Sequence, residues 1–317
     1  MNSPQVVAIG AANIDINGYS TTKLIKGESN PGRITLCAGG VARNVAENLA
    51  RLGVAVDLIS ALGGDGLQRI IIDSCRRAGV GYAHCAGDIG LPSSSYLAIL
   101  DEGGELVESV CDMSITDRLI TPEFILGEAD FIETANLVVV DAGLLYPTLS
   151  TITERFADRP LFLDPVSIKR CVNFEGLLPR FHTVKMNLNE AAHLAGTAPT
   201  DDLPTLICMA ESFLTLGLTR VYITMGGQGA VYAETGDSGW VPAVPIAPVG
   251  VSGAGDSFLA GVIVGHLKGW TAARSAAFAS GVAAVTLSTT LTSNPDMSYE
   301  RAAELATRIP QNGGAPA

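Results

Sequence analysis

The chain has 317 residues, of which 47% are hydrophobic, 16% charged and 35 are glycine. This excludes a disordered polymer and favours a large core between a sheet and its covering helices. A net charge of −12 disfavours nucleic acid and anionic membrane as partners, since both demand basic surface, but a helix N-terminus still holds a small phosphate without lysine.

Short apolar runs ending in glycine or a polar residue alternate with helix-period segments. Strands are predicted at Val6–Gly10, Val56–Gly63, Leu137–Ala142, Leu161–Asp164, Thr183–Asn187 and Arg220–Gly226. Helices are predicted at Val41–Leu52, with its stripe of Val41, Val45, Leu49 and Leu52, and at Tyr146–Phe156, Leu203–Leu216, Gly255–Lys268 and Thr271–Ser288. Such alternation predicts an α/β fold with a mostly parallel central sheet, helices on both faces, and ligands beyond the carboxyl ends of the strands. Two segments break the rhythm. Residues 15–37 are polar and glycine-bearing, and residues 93–113 carry a hairpin signal at Glu102-Gly103-Gly104. They read as a small β lid inserted in one domain spanning 1–317, because no Pro/Gly/Ser-rich linker divides the chain; two surface excursions without a ligand role are the alternative. Residues 310–317 read as a frayed tail.

The six cysteines are scattered without a C-x-x-C pair, which reads as buried thiols of a reducing cytosol. The four histidines show no ligand spacing with them, so no structural zinc is expected. The N-terminus lacks the basic start of a secretory signal, and no stretch approaches the ~20 apolar residues of a membrane span. A soluble, cytoplasmic protein is expected.

Five short motifs are able to carry chemistry. Gly253, Ala254 and Gly255 lead into an apolar helix, where their N–H groups would converge on a phosphoryl group at the positive end of the helix dipole. Asp256 at the same helix start would take a proton from an attacking hydroxyl; alone, the motif reads as readily as a glycine turn with a stabilising helix-start aspartate. The turn T-M-G-G-Q-G, Thr224 to Gly229, could approach nucleotide phosphates, with Thr224 as donor. Neither G-x-x-x-x-G-K-[ST] nor a complete G-x-G-x-x-G is present. In N-x-x-E, Asn187 to Glu190, the glutamate could hold a magnesium-bound water or simply start a helix. Asn13 and Asp15 follow the first strand and could bond a pair of sugar hydroxyls. Gly39-Gly40 then precede the helix carrying Asn44.

In order, A-N-I-D, G-G-x-x-x-N, N-x-x-E, T-x-G-x-x-G and G-A-G-D resemble the signatures of the ribokinase-like (PfkB) carbohydrate kinases, across residues 10 to about 296. S-N-P-G-R-I (Ser29–Ile34), S-S-S-Y-L (Ser93–Leu97), D-P-V-S-x-K (Asp164–Lys169) and S-N-P-D-M-S (Ser293–Ser298) resemble the branch of that family acting on pseudouridine. The resemblance implies a three-layer α/β/α kinase that transfers phosphoryl from ATP, with Mg2+, to the 5′-hydroxyl of that nucleoside. It makes Asp256 the base and Gly253, Ala254 and Gly255 the anion hole. It puts Asn13, Asp15, Gly39, Gly40 and Asn44 around the ribose, and Lys169, Ser29, Asn30 and Ser95 toward the base. Thr224, Gly227 and Gly229 would meet the nucleotide phosphates, Asn294 would lie at the adenine end, and Asn187 and Glu190 would order the magnesium through its waters. A lid of this kind also implies a homodimer. Another sugar or nucleoside kinase of the same fold, and a non-catalytic ligand-binding member, remain the alternatives. Three departures stand out: Gly250 replaces the usual aspartate of a monovalent-cation loop, leaving a potassium requirement open to backbone carbonyls alone. Met186 replaces a common proline, and Leu62–Gly66 is one residue short of G-x-D-x-x-G.

Overall fold

The computed structural model describes residues 4–310, so all of the predicted tail but Pro310 lies outside the described residues. The strands in chain order are β1 (Val6–Ile9), β2 (Asn13–Ser20), β3 (Gly32–Gly39), β4 (Val56–Ile59), β5 (Ala61–Gly63), β6 (Ala86–Asp88), β7 (Ser95–Leu100) and β8 (Leu106–Asp112). They continue with β9 (Leu137–Asp141), β10 (Leu161–Asp164), β11 (Thr183–Asn187), β12 (Arg220–Thr224), β13 (Ala230–Glu234) and β14 (Asp237–Val241).

The central sheet runs in the order β14-β13-β12-β11-β10-β9-β1-β4. Its pairings are parallel except for the two antiparallel ones, β12–β13 and β13–β14, at one edge. Alternating side chains of each strand feed two separate cores. Val7 and Ile9 of β1 join Val138 and Val140 on one face, whereas Val6 and Ala8 join Leu137 and Val139 on the other. The second core is closed by helices α1 (Val41–Arg51) and α2 (Gln68–Ala78) and by the segments Ala254–Leu267, Ala272–Thr286 and Tyr299–Ala306. The first core is closed by helices between Ser114 and Leu214. The result is the three-layer α/β/α arrangement that the alternation predicts.

The predicted strand Val56–Gly63 is two strands. After β4 the chain turns out of the main sheet at the buried Ser60, whose carbonyl accepts from Ala86 N–H at 2.8 Å, and β5 pairs with β6 instead. β2, β3, β7 and β8 form a separate four-stranded sheet in the order β3-β2-β7-β8. Its hairpin turns at Gly104 (φ 84), where Asp101 Oδ1 accepts from Gly103 and Glu105 N–H at 2.9 Å each.

All six cysteines are free thiols, but the expectation that all are buried is corrected at four positions: Cys37 and Cys85 are half-buried, and Cys111 and Cys208 are exposed. Cys111 is exposed because both faces of β8 meet solvent, and Cys208 because it lies off the Leu206, Met209, Ala210 and Phe213 stripe that buries its helix. Among the described residues, no helix is long and apolar enough to cross a membrane. Likewise no group of three His, Cys, Asp or Glu side chains is placed to hold a metal.

Candidate active site

Parallel strands end on one edge of a sheet, so their last residues form a row. Asp141 ends β9, Asp164 ends β10, Asn187 ends β11 and Thr224 ends β12; Asp141 sits beside Asp164 in register, and Asn187 beside Thr224. Thus one edge gathers four strand-end groups that could bind or charge a ligand, together with Gly10 after β1.

The helix α3 (Ala254–Leu267) points its N-terminus at this edge. It is apolar and mostly buried, which anchors its start in the core. Gly253 caps it at φ 78, and a Cβ there would lie 1.9 Å from the carbonyl oxygen of Thr292, so only glycine closes this turn. No side chain caps the helix, which leaves its first N–H groups for a ligand. Asp256, in the first turn, accepts a 2.6 Å hydrogen bond from Asn44 Nδ2. Burial pushes the Asp256 carboxyl up to about 7, helped by the negative charge of Asp164 and opposed by Lys185, Asn44 and Arg43. A carboxylate with that value accepts a proton near neutral pH.

The N-terminal elements close the other side. Asn13 Nδ2 donates to Asp15 Oδ1 at 2.7 Å, and burial raises the Asp15 carboxyl against the opposing effects of Asn13 and Arg43. Gly40 caps α1 at φ 95, where a Cβ would meet the Ala11 carbonyl at 2.4 Å. The buried Asp141 ties this corner together. Its Oδ2 accepts from Ala11 N–H (2.8 Å) and Ala42 N–H (3.0 Å), and its Oδ1 from Gly143 N–H (2.8 Å). Burial nevertheless pushes its carboxyl up to about 6. Behind it Arg43, 1% exposed, pairs with Glu47 and donates to the carbonyls of Ala38 and Gly39 and to Thr292 Oγ1. That guanidinium joins β3, α1 and the loop beneath Gly253.

On the far side, Asn187 and Glu190 form a reciprocal capping box: Asn187 Oδ1 accepts from Glu190 N–H at 2.9 Å, and Glu190 Oε2 from Asn187 N–H at 2.8 Å. Burial and the charge of Asp164 raise the Glu190 carboxyl, with Lys185 and Asn187 opposing. Thr224 Oγ1 donates to the Met186 carbonyl at 3.2 Å, and Gly227 lies in the short 3-10 turn Gly226–Gln228 that follows, with Gly229 at its C-cap. Asn294 is buried, its Nδ2 bonded to Val285 O and Ser288 Oγ, so it shapes its loop through bonds within the protein. Gly250 leaves no room for a carboxylate: a Cβ there would lie 2.5 Å from the Thr289 carbonyl.

The remaining predicted residues are dispersed. Ser29 is exposed, and Asn30 uses its amide to pin the Ile25–Asn30 loop, accepting from Ile25 N–H and donating to Ile25 O and Glu28 O. Lys169 is exposed on the short 3-10 helix Ile168–Phe174, just after Val166, a β-branched residue held at φ 65. Ser95 pairs with Ile14, while Tyr96 pairs with Asp15 and Cys111. The strand pleat therefore turns Tyr96, rather than Ser95, to the face that carries Asp15. Asp141, Lys185 and Arg43 carried no role in the sequence reading, and Asp164 and Tyr96 entered it only as letters of D-P-V-S-x-K and S-S-S-Y-L. A charged residue inside or ending an apolar strand, as in LVVVD, LFLD and TVKMN, is the signal that could have found Asp141, Asp164 and Lys185.

A family model described as pfkB family carbohydrate kinase matches residues 3–298. The chain is 38% identical over 294 residues to a pseudouridine kinase of Escherichia coli K12, covering 92% of this chain and 93% of that one. It is 29% identical over 266 residues to a guanosine-inosine kinase of Exiguobacterium acetylicum, covering 82% and 86%. A ribokinase of Thermotoga maritima superposes with a TM-score of 0.84 over 96% of this chain and 99% of that one at 19% identity, a likeness of fold.

Proposed function

The chain belongs to the pfkB family of carbohydrate kinases and is an ATP-dependent kinase, and from that premise we propose that its acceptor is pseudouridine, phosphorylated on the 5′-hydroxyl. The observation that carries the reading is the Asn44–Asp256 contact, 2.6 Å across 212 residues, at the start of an uncapped helix. It brings a candidate base, an anion-binding turn and the sugar-side helix α1 to one point. The similarity to a pseudouridine kinase over nearly the whole length of both chains supports the choice of acceptor.

In this reading Asp256 takes the proton of the attacking hydroxyl, and the N–H groups of Gly253, Ala254 and Gly255 receive the transferring phosphoryl oxygens. Asn13, Asp15, Gly39, Gly40 and Asn44 hold the ribose. Lys169, Ser29, Asn30 and Tyr96 lie toward the base, with Tyr96 taking the place first given to Ser95. Thr224, Gly227 and Gly229 cradle the nucleotide phosphates, with Asn294 shaping the loop at the adenine end. The residues suit a metal that arrives with those phosphates, because no three ligating side chains converge among the described residues and Glu190 Oε1 makes no hydrogen bond there. A bound Mg2+ would neutralise phosphate charge, with Asn187 and Glu190 ordering its waters.

The four-stranded sheet acts as a lid through its Asp15–Tyr96 face, excluding water from the transfer. Its other face turns Ile34, Leu97 and Val110 to solvent, at 69%, 40% and 68% exposure, which supports a homodimer formed through the lid. Six unpaired thiols suit a reducing cytoplasm.

The test is phosphorylation of a panel of pseudouridine, uridine, inosine, adenosine, ribose and fructose with Mg-ATP. Pseudouridine is expected to give the highest kcat/KM. Comparable efficiency on ribose or inosine overturns this acceptor while leaving the kinase chemistry intact.

A further inference from the structure

Asp164 and Lys185 take no part in the function proposed above, yet they lie directly beneath the phosphoryl-binding turn. Lys185 is 5% exposed on β11, and its Nζ meets Asp164 Oδ2 at 2.6 Å. A Cβ added to Gly255 would lie 2.9 Å from that Nζ, so the ammonium sits immediately behind the backbone of residue 255. A side chain at 255 would have to push the end of Lys185 aside. Burying an ammonium is costly unless opposite charges surround it. Burial does lower the Lys185 pKa, but Asp164, Asp256 and Glu190 outweigh it and hold the group above its ordinary value.

We propose that Lys185 is a positioning residue for phosphoryl transfer: its ammonium, held by Asp164, backs the Gly253–Gly255 turn and adds positive field where the transferring group sits. A phosphoryl-transfer transition state is stabilised mainly by placed charge. The chain has no P-loop lysine to supply it from the ligand side. During the step the acceptor oxygen bonds to the γ-phosphorus as the bond from that phosphorus to the β–γ bridging oxygen breaks. The hydroxyl proton passes to Asp256, ADP leaves with the bridging oxygen, and Lys185 keeps its proton throughout. Asp256 is faced by Asn44 and Arg43 from α1, by Asp164 from the end of β10 and by Lys185 from β11. Lys185 also balances the repulsion between Asp256 and Asp164, as the opposite signs of their effects on Asp256 require. The proposal holds for whichever acceptor the panel identifies, and a wild-type enzyme inactive on every acceptor would count against the kinase reading instead.

The test compares Lys185→Met, the neutral pair Lys185→Met/Asp164→Asn, and Gly255→Ala, each checked for its melting temperature. Lys185→Met is expected to lower kcat about 100-fold with each KM changed less than about threefold. It should also move the acid limb of kcat/KM to higher pH, because only Asn44 and Arg43 then oppose the repulsion of the Asp256 carboxylate by Asp164. The neutral pair should keep the kcat loss and return the limb toward its wild-type position, and it carries the test if the single variant fails to fold. Gly255→Ala retains both charges but displaces Nζ, and should lower kcat without changing KM. A folded neutral pair with kcat within about threefold of wild type overturns the proposal, as does a loss confined to KM.

Discussion

Asn44 Nδ2 donates to Asp256 Oδ2 at 2.6 Å, joining the first turn of α1 to the first turn of α3 across 212 residues of chain. The contact aligns the two helix starts that face the strand-end row. Its Oδ1 is buried without a partner, so this amide is not fully satisfied within the protein. Asn44→Ala should therefore lower kcat/KM about 10- to 100-fold, while Asp256→Asn should remove about 1,000-fold or more of kcat and leave ATP affinity nearly unchanged. Steady-state kinetics and calorimetric titration check both. An Asp256→Asn enzyme of near wild-type turnover would end its assignment as base.

The pH dependence follows from the same carboxyl. Asp256 is pushed up to about 7 and works as a base only when deprotonated. kcat/KM should rise through neutral pH, reach a plateau above it and fall toward acid with one limb near that value. Removing the Asn44 donor favours the neutral acid, so in Asn44→Ala the limb should move to higher pH. A pH–rate profile of the two enzymes decides the matter.

Asp141 satisfies three backbone N–H groups at once, which gives it a structural cost separable from chemistry. Asp141→Asn loses the Oδ2 acceptor shared by Ala11 and Ala42, and should cost about 2–4 kcal/mol in urea unfolding. The folded carboxyl is raised to about 6 from an ordinary 3.8. Its protonated form therefore contributes stability that is fully present below the ordinary value and is lost as pH rises through about 6. Wild type should lose stability relative to the variant across that window, and urea midpoints at several pH values measure it.

The buried Arg43–Glu47 pair predicts a strong non-additivity. Arg43→Met leaves Glu47 buried, with Arg51 as its remaining cation, and should cost about 3–5 kcal/mol. Arg43→Met/Glu47→Leu should cost less than the sum of the single changes. A double-mutant cycle in urea yields the coupling directly.

Tyr96 shares a face with Asp15 and Cys111 on the sheet proposed as the lid. Tyr96→Ala should raise KM for the nucleoside about tenfold and leave KM for ATP unchanged. Equal effects on both substrates would place Tyr96 outside the acceptor pocket.

Local pattern determined much of this protein. The α/β alternation was legible because a strand buried on both faces reads as a continuous apolar run, as in VVAI and LVVV. The G-A-G-D turn was legible because a positive-φ cap at Gly253 imposes glycine directly on the sequence. Other features depended on distance through space. Ser95 and Tyr96 are adjacent in sequence, and only the register against Asp15 tells which of them shares its face. Asp164 and Lys185 end or interrupt apolar runs 21 residues apart, and only parallel pairing of β10 with β11 makes them an ion pair. The charge of −12 gave no hint of that ammonium, because a net charge sums over the surface, while field at a site depends on which few charges the fold buries together. Composition and motif thus determined the architecture and the glycine turn proposed to bind the phosphoryl group; tertiary packing decided what stands beside it.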